Sequence, residues 1–147
     1  MGLVIFGLLP PNLGISAPVP AFDLSPYRGK VVYLDFWASW CAPCRFSFPW
    51  MSQTQVAFER QGLVIIAVNV DRDRDLADEF LRNNPAQFKI VYDPTGAVPG
   101  SYNIKAMPTS ILIDRDGKVP YVHTGFFENR ENVYRSHITE LLNEKAP

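Results

Sequence analysis

Cysteine is scarce in this chain. Its 147 residues include only Cys41 and Cys44, and both lie in the stretch Trp-Cys-Ala-Pro-Cys at residues 40–44. A structural zinc site needs four ligands, and the two histidines, His123 and His137, lie far along the chain and not at ligand-pair spacing. Two cysteines so close in sequence would also close a very small loop, which constrains the unfolded chain little. The count therefore disfavours both structural zinc and a purely structural disulfide.

An excess of charge of one sign is also missing, as are long apolar runs. The net charge is -1 and acids and bases are interspersed, so nothing indicates nucleic acid or an anionic membrane surface as a partner. Residues 2–9 are apolar but far fewer than the roughly 20 that span a bilayer. Their length suits a signal-peptide core, although no Lys or Arg precedes them. We expect residues 1–20 to be a leader remnant or an extended arm, and residues 21–147 to form one domain.

Apolar runs alternate with amphipathic stretches along this domain. The pattern predicts strands over 31–36, 63–70, 88–92, 110–113 and 119–124, and helices over 42–60, from the charged run 71–75 to about 83, and over 129–144. A further helical turn is predicted over 97–102. This order indicates an α/β fold whose sheet is covered on both faces.

Inward and outward faces follow from the same periodicity. In the second helix we expect Leu76, Phe80 and Ala77 to face inward, with the charged run 71–75 in solvent. In the last helix the predicted inward positions are Val133, His137, Ile138, Leu141 and Leu142. No partner for His123 or His137 is evident in the sequence, so we expect packing or solvent exposure for both.

The two cysteines lie where a buried strand ends and a helix begins. The positive end of a helix stabilises an anion such as a thiolate, the reactive form of cysteine. We therefore interpret the pair as redox-active, with Cys41 as the attacking nucleophile at the exposed helix tip. Cys44, one turn inside and shielded, would be the resolving thiol.

Asp35 and Trp40 are the other informative residues near the pair. A carboxylate in an apolar strand is costly to bury, and its pKa should rise. Asp35 precedes Cys41 by six residues, so it can lie under the helix and act as general base and acid for Cys44. The alternative is an aspartate that only hydrogen-bonds a nearby turn. We expect the Trp40 side chain to be partly exposed next to the nucleophile and to contact a partner, whereas we expect Trp37 to pack in the core.

Several short stretches from about residue 20 to the end match one known pattern. They are residues 29–32, 35–45, Pro49, 68–71, 107–109 and 113–117. Together they resemble the thioredoxin superfamily, in particular its TlpA-like periplasmic branch. The resemblance implies a thioredoxin fold, with a central mixed sheet of four to five strands flanked by helices. Residues from about 73 to 92 resemble the helix-and-strand insertion of that branch.

The resemblance also implies site residues that spacing alone does not indicate. Pro108 should follow a cis peptide bond and face Cys41, and the backbone of Met107 should pair with a substrate strand. The Met107 side chain would then contact the partner, together with Trp40. The chain departs from the family pattern at Ala67. Many thioredoxins carry a buried lysine at this position, beside the buried acid, so proton transfer here would depend on Asp35 without a lysine.

The expected function is thiol–disulfide exchange, with neither metal nor cofactor. Cys41 and Cys44 would cycle between dithiol and disulfide and reduce disulfides in partner proteins. A second thiol protein would regenerate the dithiol, and a membrane electron donor would do so if the chain is exported. We expect a periplasmic location, with tethering through the N-terminal segment, and a cytoplasmic location as the alternative. A thiol-dependent peroxidase and a non-catalytic soft-metal-binding module are the competing functions.

Overall fold

The computed structural model describes residues 22–146, so the predicted leader or arm lies outside the described residues. Five strands and four α-helices alternate along this part of the chain. They are β1 (Val31–Trp37), α1 (Cys44–Phe58), β2 (Leu63–Asn69), α2 (Arg74–Asn83), β3 (Lys89–Tyr92), α3 (Ala97–Ser101), β4 (Thr109–Ile113), β5 (Tyr121–Thr124) and α4 (Glu131–Asn143). Short 3-10 helices lie at Ser25–Tyr27, Glu59–Gln61 and Glu128–Arg130.

The sheet is mixed and has the order β3-β2-β1-β4-β5. Strands β1, β2 and β3 are parallel, whereas β4 is antiparallel to β1 and β5 is antiparallel to β4. The predicted α/β class and the thioredoxin fold are confirmed. The observed bounds of the elements differ from the predicted ones by a few residues. For example, β5 begins after Pro120, because proline has no N–H to donate to a neighbouring strand.

The central strand β1 is buried along its whole length because helices cover both faces of the sheet. Its odd-numbered apolar residues Val31, Tyr33 and Trp37 belong to one core cluster, which also holds residues of α1 and α4. Its even-numbered residues belong to a second cluster on the opposite face. Since side chains alternate along a strand, Asp35 lies on the face of the first cluster.

An aromatic group joins β1, α1 and α2 within the first cluster. The ring centroids of Trp37, Phe48 and Phe80 are 4.8 to 5.0 Å apart in each pair. Phe88, in the segment before β3, lies 5.2 Å from Phe48. These contacts fix α2 against the helix that carries Cys44.

The prediction of an inward-facing side chain is wrong for two residues. Leu76 is 48% exposed, because α2 meets the core through Ala77 and Phe80 instead. Val133 is 38% exposed, and its neighbour Tyr134 is buried in its place. Tyr134 packs against Trp50, while Ile138, Leu141 and Leu142 are buried as predicted. No helix within residues 22–146 is long and apolar enough to cross a membrane.

Removing the Phe48 ring should strongly destabilise the fold. Phe48 is fully buried between three aromatic rings, so Phe48→Ala should lower the free energy of unfolding by about 4 kcal/mol. Urea unfolding at equilibrium measures this difference. Phe46→Ala is the matched control, because Phe46 lies on the same helix and is 58% exposed; it should change stability by no more than about 0.5 kcal/mol. Equal losses in the two variants would contradict the packing described.

Candidate dithiol–disulfide site

Cys41 and Cys44 form a disulfide at the start of α1, with their Cα atoms 5.4 Å apart. Successive backbone bonds wind the segment into the helix: Cys44 N donates to Cys41 O at 3.2 Å, and Arg45 N donates to Ala42 O at 3.2 Å. The turn begins earlier, where Cys41 N donates to Ala38 O at 3.1 Å. The two-residue spacer therefore forms the first turn and holds both sulfurs within bonding distance.

Cys41 is less accessible than the sequence suggests. We expected it at an exposed helix tip, but it is only 3% exposed and belongs to the core cluster. Its sulfur is bonded to that of Cys44, which is fully buried. The adjacent residues are open instead, with Ala42 and Pro43 exposed and Trp40 68% exposed.

Asp35 lies in the middle of β1, on the face that α1 covers. It is 2% exposed, and its cross-strand neighbours are Ala67 on β2 and Ser110 on β4. Burial among apolar groups raises the pKa of this carboxyl well above its ordinary value, because the charged form loses its hydration. Its Oδ2 atom has no hydrogen-bond partner among the described residues.

The segment before β4 lies beside the loop that carries the cysteines. The Met107–Pro108 peptide bond is cis. Phe36 on β1 pairs with Thr109 on β4, so continuing this register places Pro108 level with Trp37, at the end of β1 that leads to Cys41. Pro108 is buried, and its carbonyl accepts a hydrogen bond from Gly125 N at 2.8 Å. Met107 is half-buried and packs against the cluster that contains both cysteines.

Asp71 is a buried residue that sequence reasoning placed in solvent. It is 5% exposed, and its carboxylate accepts from Ser39 N at 2.8 Å, Ser39 Oγ at 2.8 Å and Asn69 Nδ2 at 2.7 Å. These bonds tie the loop before Cys41 to the end of β2. A usable signal was present, because Asp71 follows an apolar parallel strand at the same edge of the sheet as the cysteines.

His123 is buried and packs against aromatic rings, as one of the two expected outcomes, and it also pairs with His137, a contact that the sequence did not indicate. His123 Nε2 lies 2.9 Å from His137 Nδ1, which joins β5 to α4. Burial lowers the pKa of His123 to about 4, with smaller effects from nearby His137 and Arg130. Fourteen residues separate the pair in sequence, so only the docking of α4 on the sheet brings the rings together.

The fold and the site together define the class of the protein. A CxxC disulfide between the central strand and the following helix, beside a cis-proline on a five-stranded mixed sheet, is the arrangement of a thioredoxin-fold protein. The family model described as Redoxin matches residues 13–138. The chain belongs to the Redoxin family, as a TlpA-like member of the thioredoxin superfamily.

Curated relatives resemble about two thirds of the chain. Thiol-disulfide oxidoreductase ResA of Geobacillus kaustophilus is 39% identical over 102 residues, which are 69% of this chain and 59% of that protein. ResA of Bacillus subtilis is 38% identical over 103 residues, 70% of this chain and 58% of that protein. The chain thus spans less than two thirds of the length of these relatives.

Solved structures give the same picture. A Chlorobium tepidum protein described as a thiol:disulfide interchange protein DsbE is 48% identical, with a TM-score of 0.80 over 82% of this chain and 85% of that chain. A Bacteroides thetaiotaomicron protein described as a protein disulfide isomerase is 26% identical, with a TM-score of 0.74 over 82% of this chain and 79% of that chain.

Neutralising Asp35 should stabilise the protein increasingly as pH rises. The pKa of the folded-state carboxyl is raised, so wild-type stability is greatest below the unfolded pKa of about 4 and falls as pH approaches the folded pKa. Asp35→Asn removes this loss. Urea unfolding at pH 5 and pH 8 should show a larger advantage of the variant at pH 8. Asp116→Asn, at an exposed position, is the control for the same charge change, and an Asp35→Asn advantage that shrinks with pH would contradict the burial argument.

Removing the Asp71 carboxylate should loosen the loop before Cys41. Asp71→Ala leaves donors on Ser39 and Asn69 without their acceptor, so the free energy of unfolding should fall by about 3 kcal/mol. Asp75→Ala, at an exposed position in the same charged run, should cost no more than about 1 kcal/mol. Chemical denaturation compares the two variants. Similar small losses in both would show that Asp71 is an ordinary surface charge.

Proposed function

We propose that the protein is a thiol–disulfide oxidoreductase that reduces disulfides in partner proteins. The observation that carries the proposal is the Cys41–Cys44 disulfide at the N-terminus of α1. The dipole of this helix favours a thiolate at its first turn. The names of the ResA and DsbE relatives support the same chemistry.

In the proposed cycle, the thiolate of reduced Cys41 attacks one sulfur of a partner disulfide. The partner S–S bond breaks, one partner cysteine leaves as a thiolate, and a mixed disulfide with Cys41 forms. Cys44, once deprotonated, attacks the Cys41 sulfur and releases the second partner cysteine as a thiolate. The partner gains two electrons, and the Cys41–Cys44 disulfide of the present structure re-forms.

Asp35 is the proposed base for Cys44. A carboxylate with an ordinary pKa is a poor acceptor for a thiol proton, whereas one with a raised pKa is better matched. Burial supplies that rise. Side chains alternate along β1, so Asp35 shares the face of Tyr33 and Trp37, which pack with residues of α1; this position supports the proposed role.

The partner contacts Trp40, Met107 and Pro108 in this proposal. The backbone of Met107 pairs with an extended partner segment, as in edge-strand addition. The cis bond before Pro108 and its position beside the loop of Cys41 support this arrangement. Trp40 and Phe46, 68% and 58% exposed, offer apolar contact area next to the cysteines.

A thiol-donating protein returns electrons to the disulfide, and we propose a membrane electron donor for this step. The proposal includes export to a bacterial periplasm, with residues 1–20 as leader or tether. The apolar stretch at residues 2–9 and the TlpA-like character of the chain support it. Cell fractionation of the natural host tests the location, and recovery of the protein in the cytoplasm would contradict it.

Cys44→Ala should trap partners of the reduced protein. Without the resolving thiol, the mixed disulfide on Cys41 persists, so non-reducing gels should show adducts that disappear with dithiothreitol. Cys41→Ala is the control and should trap none. In vitro, the wild type should reduce insulin disulfides faster than it reduces peroxide. Faster peroxide reduction, or stoichiometric retention of copper or zinc by the reduced protein, would contradict the proposed function.

A further inference from the structure

Methionine is scarce in the chain, and its three copies differ in their surroundings. Met1 lies outside the described residues. Met51 is fully buried in the core cluster that contains both cysteines. Met107 is half-buried, so it is the one methionine among residues 22–146 whose side chain solvent reaches.

Met107 lies just before β4, where the two core clusters meet. It packs against the cluster that contains Cys41 and Cys44, and also against the cluster on the opposite face of the sheet. Its neighbour Pro108 lies level with Trp37, at the end of β1 that leads to the cysteines. A chemical change of the Met107 side chain therefore changes the surface beside the redox pair.

The main chain of Met107 is anchored on both sides but is itself unpaired. Thr109 Oγ1 donates to Ala106 O at 2.7 Å, and Gly125 N donates to Pro108 O at 2.8 Å. Neither the N–H nor the C=O of Met107 bonds to another main-chain group among residues 22–146. Its main chain is thus free for the proposed pairing with a partner segment, and its side chain lies within that contact.

The two cysteine sulfurs are shielded in this structure. Cys41 and Cys44 are bonded to each other, and their exposed fractions are 3% and 0%. A sulfur in a disulfide has no thiolate, which is the form that oxidants attack. The thioether of methionine is oxidised without prior deprotonation. In the disulfide form, the sulfur of the described residues that a peroxide reaches first is therefore that of Met107.

Building on the proposed thiol–disulfide exchange, which it requires, we propose that Met107 is an oxidation site that controls the access of partner proteins to Cys41. Hydrogen peroxide transfers one oxygen atom to the Met107 sulfur. The peroxide O–O bond breaks, an S–O bond forms, and the remaining oxygen leaves as water. The methionine sulfur loses two electrons and the peroxide gains them, so no cysteine takes part in this step.

The product, methionine sulfoxide, is polar where the thioether was apolar. A partner segment paired with the Met107 main chain covers this oxygen, and burying a polar group without a hydrogen-bond partner is unfavourable. A small disulfide that needs no such pairing keeps its access to Cys41. Methionine sulfoxide reductases reverse the modification, so it acts as a switch on protein that awaits reduction.

Peroxide treatment of the disulfide form tests the oxidation step. After catalase has removed the peroxide, peptide mass spectrometry measures how fast each methionine gains one oxygen atom. Met107 should be oxidised at least about ten times faster than Met51, because Met51 is fully buried. Similar rates at the two positions, or no oxidation of Met107, would overturn the proposal.

Two substrates distinguish weakened partner pairing from damage to the cysteines. The treated protein is reduced with dithiothreitol, freed of it, and assayed with insulin and with 5,5′-dithiobis(2-nitrobenzoic acid), a small disulfide that offers no strand. The rate with insulin should fall about tenfold, as expected for one polar group covered without a partner, and the rate with the small disulfide should not change. Methionine sulfoxide reductases A and B together should restore the insulin rate. Equal losses with both substrates, or no loss with insulin, would contradict the switch.

Substitutions assign the effect to one side chain. Met107→Leu keeps an apolar contact without an oxidisable sulfur, so peroxide should not lower its rate with insulin below that of the untreated variant. Met107→Gln imitates the polar sulfoxide and, without peroxide, should lose more activity with insulin than with the small disulfide. Met51→Leu is the matched control and should remain as sensitive to peroxide as the wild type. A peroxide-sensitive Met107→Leu would overturn the proposal.

The untreated wild type separates the two proposals. If it does not reduce insulin, the proposed function fails, and the switch that depends on it fails too. If it reduces insulin and oxidation of Met107 leaves that rate unchanged, the switch alone is refuted.

Discussion

The burial of one carboxyl in the middle of the sheet is the constraint on which the site depends. Strand β1 is covered by helices on both faces, and all seven of its residues are buried. Asp35 therefore has no hydration shell to stabilise its charge, and its pKa rises. A substitution to an apolar residue would relieve this cost. In the proposed cycle, the stability that is lost by burying this carboxyl provides a base whose pKa is matched to a thiol.

The rest of the site follows from the topology of the sheet. The carboxyl ends of β1 and β2 meet at one edge, and the antiparallel β4 begins there, so the cysteine turn, Asp71 and the cis-proline converge. Asp71 holds the loop before Cys41 through Ser39. On the opposite side, α4 brings His137 to His123. Each of these contacts joins segments far apart in sequence, and each depends on β1 lying in the middle.

Local patterns sufficed for much of this arrangement. Apolar runs located the strands, and the CxxC between a strand and a helix located the cysteines. The cis bond at Met107–Pro108 has no signal in spacing, and only the resemblance to the TlpA-like branch implied it. Asp71 was wrongly predicted to lie in solvent, because the run of alternating charges at residues 71–75 resembles a solvated turn. Asp71 is the first residue of that run, and it lies buried at the end of β2. The burial of Cys41 and the histidine pair depend on tertiary packing, which local periodicity does not contain.

The rate of Cys44 resolution as a function of pH, compared between the wild type and Asp35→Asn, tests the central claim most directly. If Asp35 is the base, the wild-type rate should rise through the raised pKa of that carboxyl. The variant should lose this dependence and resolve about a hundredfold more slowly at pH 7, the lower range of general base catalysis. A variant that resolves at the wild-type rate across the whole pH range would contradict the account.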